Sequence, residues 1–518
     1  MAAVYLPRIA APLVYDDLSV IVNNPKVRAD VPWRAYVTRA YFDFSGNDTW
    51  RPLGTLTTRA VARVAGTSPA GTRLPWLLLH AATGLLLAAL LVSLGLAPEA
   101  AAWAGALFLL HPAHVETLLC ASFNEDPLVA AGLCGMLVAH RKGRPLLAAA
   151  CYAAAALSKE SGLLGFPLLV LMDALVGARR EPRAYSLYAL TAAAYAALRF
   201  GPLAGPQSAH GLASAIPWSE RLACAAAAWL TDLRIFALPL RLRIEYFALP
   251  PSSVLQAAAW EAAAGAALAA VAAAAWRLRR RGETLFLLLW PLPFLLLTSP
   301  LVPANILNLR LTAERFLYVP CLGAAAALAW ALRRRPGVLG AVLVLWSGSA
   351  AWRAADWSRE SRLWSSLAAI YPWSAKAQEG LGDAYLREQR WPDAAAAFEE
   401  ALALRAERRD LVLAHYVPLT SELSWETQTA HRGLGLADWD LGRLDQAEAE
   451  FRRAAELAPS GDPFSFRALA YLQASRGRFR AARQAAEQGL ARSPADEMLE
   501  RIKDDASRSR LSFRARFY

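Results

Sequence analysis

Cysteine is scarce in this 518-residue chain: Cys120, Cys134, Cys151, Cys224 and Cys321 are the whole set, and no two have C-x-x-C spacing. That excludes a disulfide framework and a thiolate zinc site. Charge is thin as well, at 19% of residues, against about 25% in ordinary soluble domains. No cleavable signal peptide is visible, and residues 1–11 are too short to span a bilayer, which takes about 20 apolar residues.

What fills the chain instead is apolar. Hydrophobic residues make up 56% and mean hydropathy is +0.26, which implies a membrane protein with a soluble part, and so at least two domains. The net charge of +12 does not indicate a nucleic-acid partner. Its excess sits in short clusters between apolar runs: RKGR (141–144), ARREPR (178–183), RLRRR (277–281) and RRR (333–335). Such clusters mark cytoplasmic turns.

Apolar runs place membrane-spanning helices near 74–96, 100–120, 126–140, 145–157, 160–177, 184–200, 254–276, 284–301, 315–332 and 338–355,. The run 220–240 carries Asp232 and Arg234. An odd crossing there would put RLRRR outside, so it reads as an interfacial helix on the outer face. The same parity puts residues 1–73, 111–126, 158–160, 201–253, 302–314 and everything beyond about 356 outside the cytoplasm,.

Beyond Asp356 the composition turns to Glu, Arg, Gln and Ala. Segments 379–404, 431–459 and 466–494 align on Gly382/Gly435/Ala470, Trp391/Leu444/Phe479 and Ala394/Ala447/Ala482. Phe398/Phe451 and Ala401/Ala454 extend the match. The second and third units are 35 residues apart, close to the tetratricopeptide period of 34. The stretch 405–427 between the first two has room for a degenerate unit.

Polar groups collect at the outer helix ends, where they are costly and need a reason. Asp16 and Asp17 sit in LVYDDLSVIVNNP (13–25), between apolar flanks. They read either as a solvated pair capping a helix or as a base whose pKa partial burial raises. Arg51 and Arg59 lie in WRPLGTLTTRAV (50–61), readable as interfacial anchoring,. His111, His114, Glu116 and Asp126 lie in HPAHVETLLCASFNED (111–126). The spacing of the first three is no metal signature, and structural hydrogen bonding is the favoured reading over ligation. Lys159 and Glu160 in SKE, with Glu314 and Arg315 in TAERFLYVP (312–320), complete the set. Their cations either snorkel or clamp a lipid phosphate.

Taken in order, YDDLSVIVNNPKV, WRPLGTLTTR, LFLLHPAHVETL, LSKESGLLGFPLLVLMDAL, LRIFALPLRLRIEYF and AERFLYVPCLG resemble the TMTC family of protein O-mannosyltransferases and their bacterial relatives. The resemblance covers about residues 5–500,. It implies an all-α chain: a polytopic GT-C-like helix bundle followed by an α-solenoid of tetratricopeptide repeats. The expected divisions are 1–73 (acidic loop), 74–355 (membrane domain), 356–500 (repeats) and 501–518 (basic tail). The family has a helix before the acidic motif, so YLPRIAAP is expected to be the outer end of one that begins upstream.

The implied activity is transfer of mannose or a similar monosaccharide from a polyprenyl- or dolichyl-phosphate donor to a protein Ser or Thr hydroxyl, outside the cytoplasm. Asp16 is the implied base and Asp17 its orienter or second acid. Arg51, Lys159 and Arg315 are implied near the donor phosphate; His111, His114, Glu116, Asp126, Glu160 and Glu314 are further polar candidates. The family often has an Arg-Asp pair where this chain reads FNEDPL (123–128), keeping Asp126 without the arginine. No metal or other cofactor is indicated, although a divalent metal stays open, and no nucleic acid is expected. Membrane lipids and an acceptor protein held by the repeats are the expected partners. The high Ala and Arg usage leans towards a bacterial inner membrane with site and repeats facing the periplasm. Two alternatives stay open: a non-enzymatic membrane scaffold, and a GT-C enzyme whose acceptor is a lipid or surface glycan.

Overall fold

The computed structural model describes residues 1–24, 27, 32, 50–177, 182–200, 217–247, 252–302, 310–407, 410, 422–458 and 463–514. Most of the 405–427 stretch, and with it the degenerate repeat unit, lies outside the described residues, as do large parts of the loops 201–253 and 302–314. The chain divides into two compact units, Met1–Arg359 and Glu360–Tyr518.

Both units are helical. The sheet among the described residues is one antiparallel pair, β1 (Tyr246–Phe247) and β2 (Arg310–Thr312), with Tyr246 opposite Thr312.

In the first unit prolines open the helices. Pro52, Pro69, Pro98, Pro145, Pro182, Pro291, Pro320 and Pro336 each stand at a helix start. A helix's first N–H groups have no intrahelical partner, so proline loses nothing there and its fixed φ already suits the helix. Three helices among the described residues are long and apolar enough to cross a bilayer alone: Pro69–Ser93, Val254–Leu278 and Pro336–Asp356.

The other expected spans are shorter or broken. The run 284–301 splits into Gly282–Leu289 and Pro291–Leu297. The run 160–177 is a 3-10 turn, Glu160–Leu164, followed by the helix Gly165–Val176. The run 100–120 is the helix Pro98–Leu110, a turn, and the short helix His114–Leu119. At each break the chain leaves α geometry where prolines or polar residues gather, and those breaks hold several candidate site residues. The expected interfacial segment is the helix Trp218–Ala237; its Asp232 is buried and accepts from Thr312 Oγ1 at 2.7 Å.

The core of this unit runs through Leu90, Phe108, Leu133, Tyr152, Phe286, Trp290 and Leu322. The helices Glu125–Arg141 and Pro145–Ser158 pack closely because small residues meet,. A Cβ on Gly132 would lie 2.9 Å from the Cys151 carbonyl oxygen.

The second unit is a stack of antiparallel helix pairs. They are Ala375–Arg387 with Trp391–Ala406, Glu422–Asp440 with Leu444–Leu457, and Phe464–Ser475 with Phe479–Arg492. Glu360–Ile370 packs on the first pair and Glu497–Ser507 on the last. The turns between paired helices repeat one another. Gln389, Gly442 and Gly477 take left-handed φ of 58°, 76° and 72°. The next N–H in each turn, from Arg390, Arg443 and Arg478, reaches the carbonyl of Tyr385, Asp438 and Gln473 at 2.9, 2.8 and 2.9 Å. The aligned glycines are packing positions: Phe398 lies against Gly382 and Gly433, and Phe451 against Gly435. This is the stacking of tetratricopeptide-like units.

Candidate active site

The acidic loop is fastened from below. Arg73, in the first turns of the Pro69–Ser93 helix and 1% exposed, spends its guanidinium on main-chain carbonyls. Its Nε donates to Leu119 O at 2.8 Å, Nη2 to Pro12 O at 2.9 Å, and Nη1 to Ile9 O and Ala11 O. One buried arginine thus joins residues 9–12 to the end of the His114–Leu119 helix.

At Asp16 and Asp17 the chain turns sharply. Asp17 N–H donates to Val14 O at 3.2 Å, and Tyr15 inside that turn has φ 59°. The two carboxylates part company. Asp17 is fully buried; its Oδ1 accepts from Ser122 N–H at 2.7 Å and from the Cys120 thiol at 3.5 Å. Burial pushes its carboxyl up to about 6, against the pull of Arg73 and the Ser122 N–H,. Asp16 is only half-buried.

Five charged groups meet where the helices Pro52–Ala65 and Glu125–Arg141 begin and the helix Pro145–Ser158 ends. Asn124 Nδ2 donates to Thr58 Oγ1 at 2.8 Å, which docks the first of these helices beside the second. Arg51, one residue before Pro52, bonds Glu160 Oε2 through Nη2 at 3.1 Å and Nε at 3.3 Å, and lies 3.5 Å from Glu125. Lys159 Nζ reaches both oxygens of Asp126, at 2.7 and 2.9 Å. Burial pushes the Glu125 carboxyl up against the pull of Arg51. Burial pushes Glu160 the same way, but Arg51, a backbone hydrogen bond and Lys159 together hold that carboxyl low,.

Arg315 follows the same pattern. Its backbone N–H donates to Glu116 Oε2 at 2.8 Å and its guanidinium to Glu116 Oε1. The guanidinium lies 4.3 Å from the Phe123 ring centre and 5.4 Å from that of Phe316. Lys159 Nζ lies 5.7 Å from the same Phe316 ring, so Arg315 and Lys159 flank one aromatic side chain. Each of the three cations thus arrives paired: Arg51, Lys159 and Arg315 meet Glu160 with Glu125, Asp126, and Glu116. This is a belt of ion pairs, not a bare cationic patch.

His111 and His114 lie deeper. Both are fully buried among Phe108, Phe236, Tyr318 and Trp346. His111 Nδ1 accepts from Ala113 N–H and Nε2 donates to Phe236 O, each at 3.2 Å. His111, His114 and Cys321 bring one ligand atom each within 4.8 Å of one another. Both nitrogens of His111 are committed to the main chain, so it has no lone pair free for a cation. Glu314 is fully buried too; it bonds Arg353 at 3.1 Å and accepts from Tyr246 OH at 3.2 Å.

Sequence reading missed Arg73, Glu125, Asn124, Tyr15 and Glu245. Asn124 and Glu125 stood in the quoted FNEDPL, and Tyr15 and Glu245 in quoted stretches too; their meaning shows only through contacts distant in sequence, 230 residues apart for Tyr15 and Glu245.

No protein-family model matches the chain. Relatives do exist. The chain is similar to two protein O-mannosyl-transferases of Drosophila melanogaster. Against Protein O-mannosyl-transferase Tmtc2 it is 29% identical over 267 residues, 45% of this chain and 27% of that protein. Against Protein O-mannosyl-transferase Tmtc1 it is 30% identical over 193 residues, 34% of this chain and 22% of that protein. The match thus spans about a quarter of the relatives' length. The crystal structure of APC/C hetero-tetramer Cut9-Hcn1 aligns over 95% of this chain and 94% of that chain, at 16% identity and a TM-score of 0.27, too low to carry any argument.

Proposed function

We propose that the chain is a membrane glycosyltransferase that moves a monosaccharide, mannose or similar, from a polyprenyl-phosphate carrier to a protein Ser or Thr hydroxyl outside the cytoplasm. The observation that carries the reading is the contrast within the acidic pair. Asp17 is committed to the Cys120–Ser122 turn while Asp16 stays half-buried. Tyr15, the residue before Asp16, sets its ring edge-on to Phe123, over which Arg315 lies. The distant similarity to O-mannosyl-transferases supports the same class of chemistry.

In this reading Asp16 takes the proton of the acceptor hydroxyl as its oxygen attacks the anomeric carbon. The bond from that carbon to the phosphate oxygen breaks, and its electron pair leaves with the phosphate. Attack opposite the leaving group inverts the carbon. Arg51, Lys159 and Arg315 stabilise the charge growing on the phosphate. Their carboxylate partners keep the three cations, Arg315 buried and Arg51 and Lys159 part-buried, in place before the donor arrives, which removes the cost of assembling a clamp during the reaction,. The leaving phosphate is already a good leaving group, so the step needs no metal. The repeats hold the acceptor polypeptide.

Asp16→Asn is expected to abolish transfer from polyprenyl-phosphate mannose to a Ser/Thr-rich peptide in purified membranes, at unchanged expression and insertion. Wild-type transfer by that variant would overturn the reading. Transfer of label to lipid or glycan with none to peptide would move the acceptor to the other class.

A further inference from the structure

Tyr15 is held in a backbone conformation that its type disfavours. Its φ of 59° lies in the left-handed region, where Cβ crowds the following carbonyl of any residue but glycine. The turn that Asp17 N–H closes on Val14 O ordinarily takes Gly, Asn or Asp at such a place,. A bulky residue stays there only when its surroundings over-determine it.

Three contacts do so. The phenol donates to Glu245 Oε1 at 2.7 Å, and Glu245 is 1% exposed in the strand-bearing segment before β1. One edge contact is to Phe123, ring centres 6.3 Å apart. The other is to Trp357, at 6.2 Å and 90°. Trp357 is fully buried one residue past the helix Pro336–Asp356, and the Arg353 guanidinium lies 5.7 Å from its ring centre. The residue before Asp16 is therefore gripped from three distant parts of the first unit.

We propose that Tyr15 is the positioning residue of the acid: its hydrogen bond to Glu245 and its seat between Phe123 and Trp357 set the direction of the Asp16 carboxylate. This rests on Asp16 acting as the base. Tyr15 touches neither donor nor acceptor. It holds the turn in the left-handed form that leaves Asp16 half-exposed while Asp17 points inward. Glu245 suits the task because its own burial fixes the acceptor oxygen in place.

The test uses the full chain in detergent, radiolabelled polyprenyl-phosphate mannose and a Ser/Thr-rich peptide. Tyr15→Phe removes one oxygen and is expected to lower kcat about tenfold at unchanged KM for both substrates. Glu245→Gln keeps a carbonyl acceptor and should stay within about threefold of wild type. Glu245→Ala should match Tyr15→Phe, and the double variant Tyr15→Phe/Glu245→Ala should be no worse than either. Wild-type kcat in Tyr15→Phe, a loss confined to KM, or Glu245→Gln falling as far as Glu245→Ala overturns the assignment. A second arm needs no turnover: Asp16→Cys is labelled with a membrane-impermeant maleimide, with and without Tyr15→Phe. The labelling rate should change at least about threefold, and equal rates overturn the assignment. If Asp16→Asn is inactive while Tyr15→Phe is unaffected, only the positioning role falls. If Asp16→Asn is active, the parent reading falls with it.

Discussion

Asp17 converts burial into a pH dependence of stability. Its folded carboxyl titrates at about 6 and its ordinary value is 3.8, because burial disfavours the charge. The folded state therefore holds the proton more tightly than the unfolded chain. That contribution is fully present below pH 3.8 and is lost as pH rises through 6,. The difference amounts to at most about 3 kcal/mol. Asp17→Asn keeps an acceptor for the Ser122 N–H and removes the buried charge,. Its melting temperature in detergent should match wild type at about pH 4 and exceed it at about pH 8. A variant less stable than wild type at the higher pH would mean that the charge itself, held by Arg73, supports the loop. At this scale the sequence was half legible. Two adjacent acids in an apolar frame called for an explanation, and the ion-pairing cations stood at helix ends. That Asp17 serves the Cys120–Ser122 turn could not be read, because its partner lies 105 residues away.

Among elements, the three repeat turns form a natural experiment. Gly442 and Gly477 occupy left-handed positions at no steric cost, while Gln389 occupies the same place in the first pair with a side chain,. The surrounding hydrogen bonds are the same in all three, so the penalty sits in the residue. Gln389→Gly should stabilise the repeat unit by up to about 1 kcal/mol, the left-handed penalty less the added freedom of the unfolded glycine. Gly442→Ala should destabilise by about 1 kcal/mol. Limited proteolysis of the full chain, scored by cleavage within residues 360–518, reads both; shifts of the same sign would refute the equivalence of the turns. The repeats were legible because the same packing problem is solved more than once, with Phe398 and Phe451 meeting glycines at matching positions. The membrane runs were less so. A hydropathy window reads through the break at Trp290–Pro291 and the 3-10 turn Glu160–Leu164, since it averages over the residues that end a helix.

Across the whole molecule, the helix Glu125–Arg141 offers a gauge. Its 17 residues reach roughly 25 Å, at about 1.5 Å each, close to the apolar thickness of about 30 Å. Glu125 and Asp126, which pair with Arg51 and Lys159, stand at one end; the exposed turn Lys142–Arg144 stands just past the other. The exposed arginines Arg279, Arg280 and Arg281, and Arg333 and Arg335, gather in two further turns between helices. Anionic headgroups and the insertion machinery favour such clusters in the cytoplasm, and the proposed function needs the ion-pair belt on the opposite face, where a lipid-linked sugar donor would be met. Single cysteines placed in these basic turns should resist a membrane-impermeant maleimide in intact cells, while one at Thr67, in the turn before the Pro69–Ser93 helix, should react. Reaction of the basic turns and protection of Thr67 would put the belt in the cytoplasm. An extracytoplasmic transferase would then be excluded, whatever Asp16 does in a detergent assay.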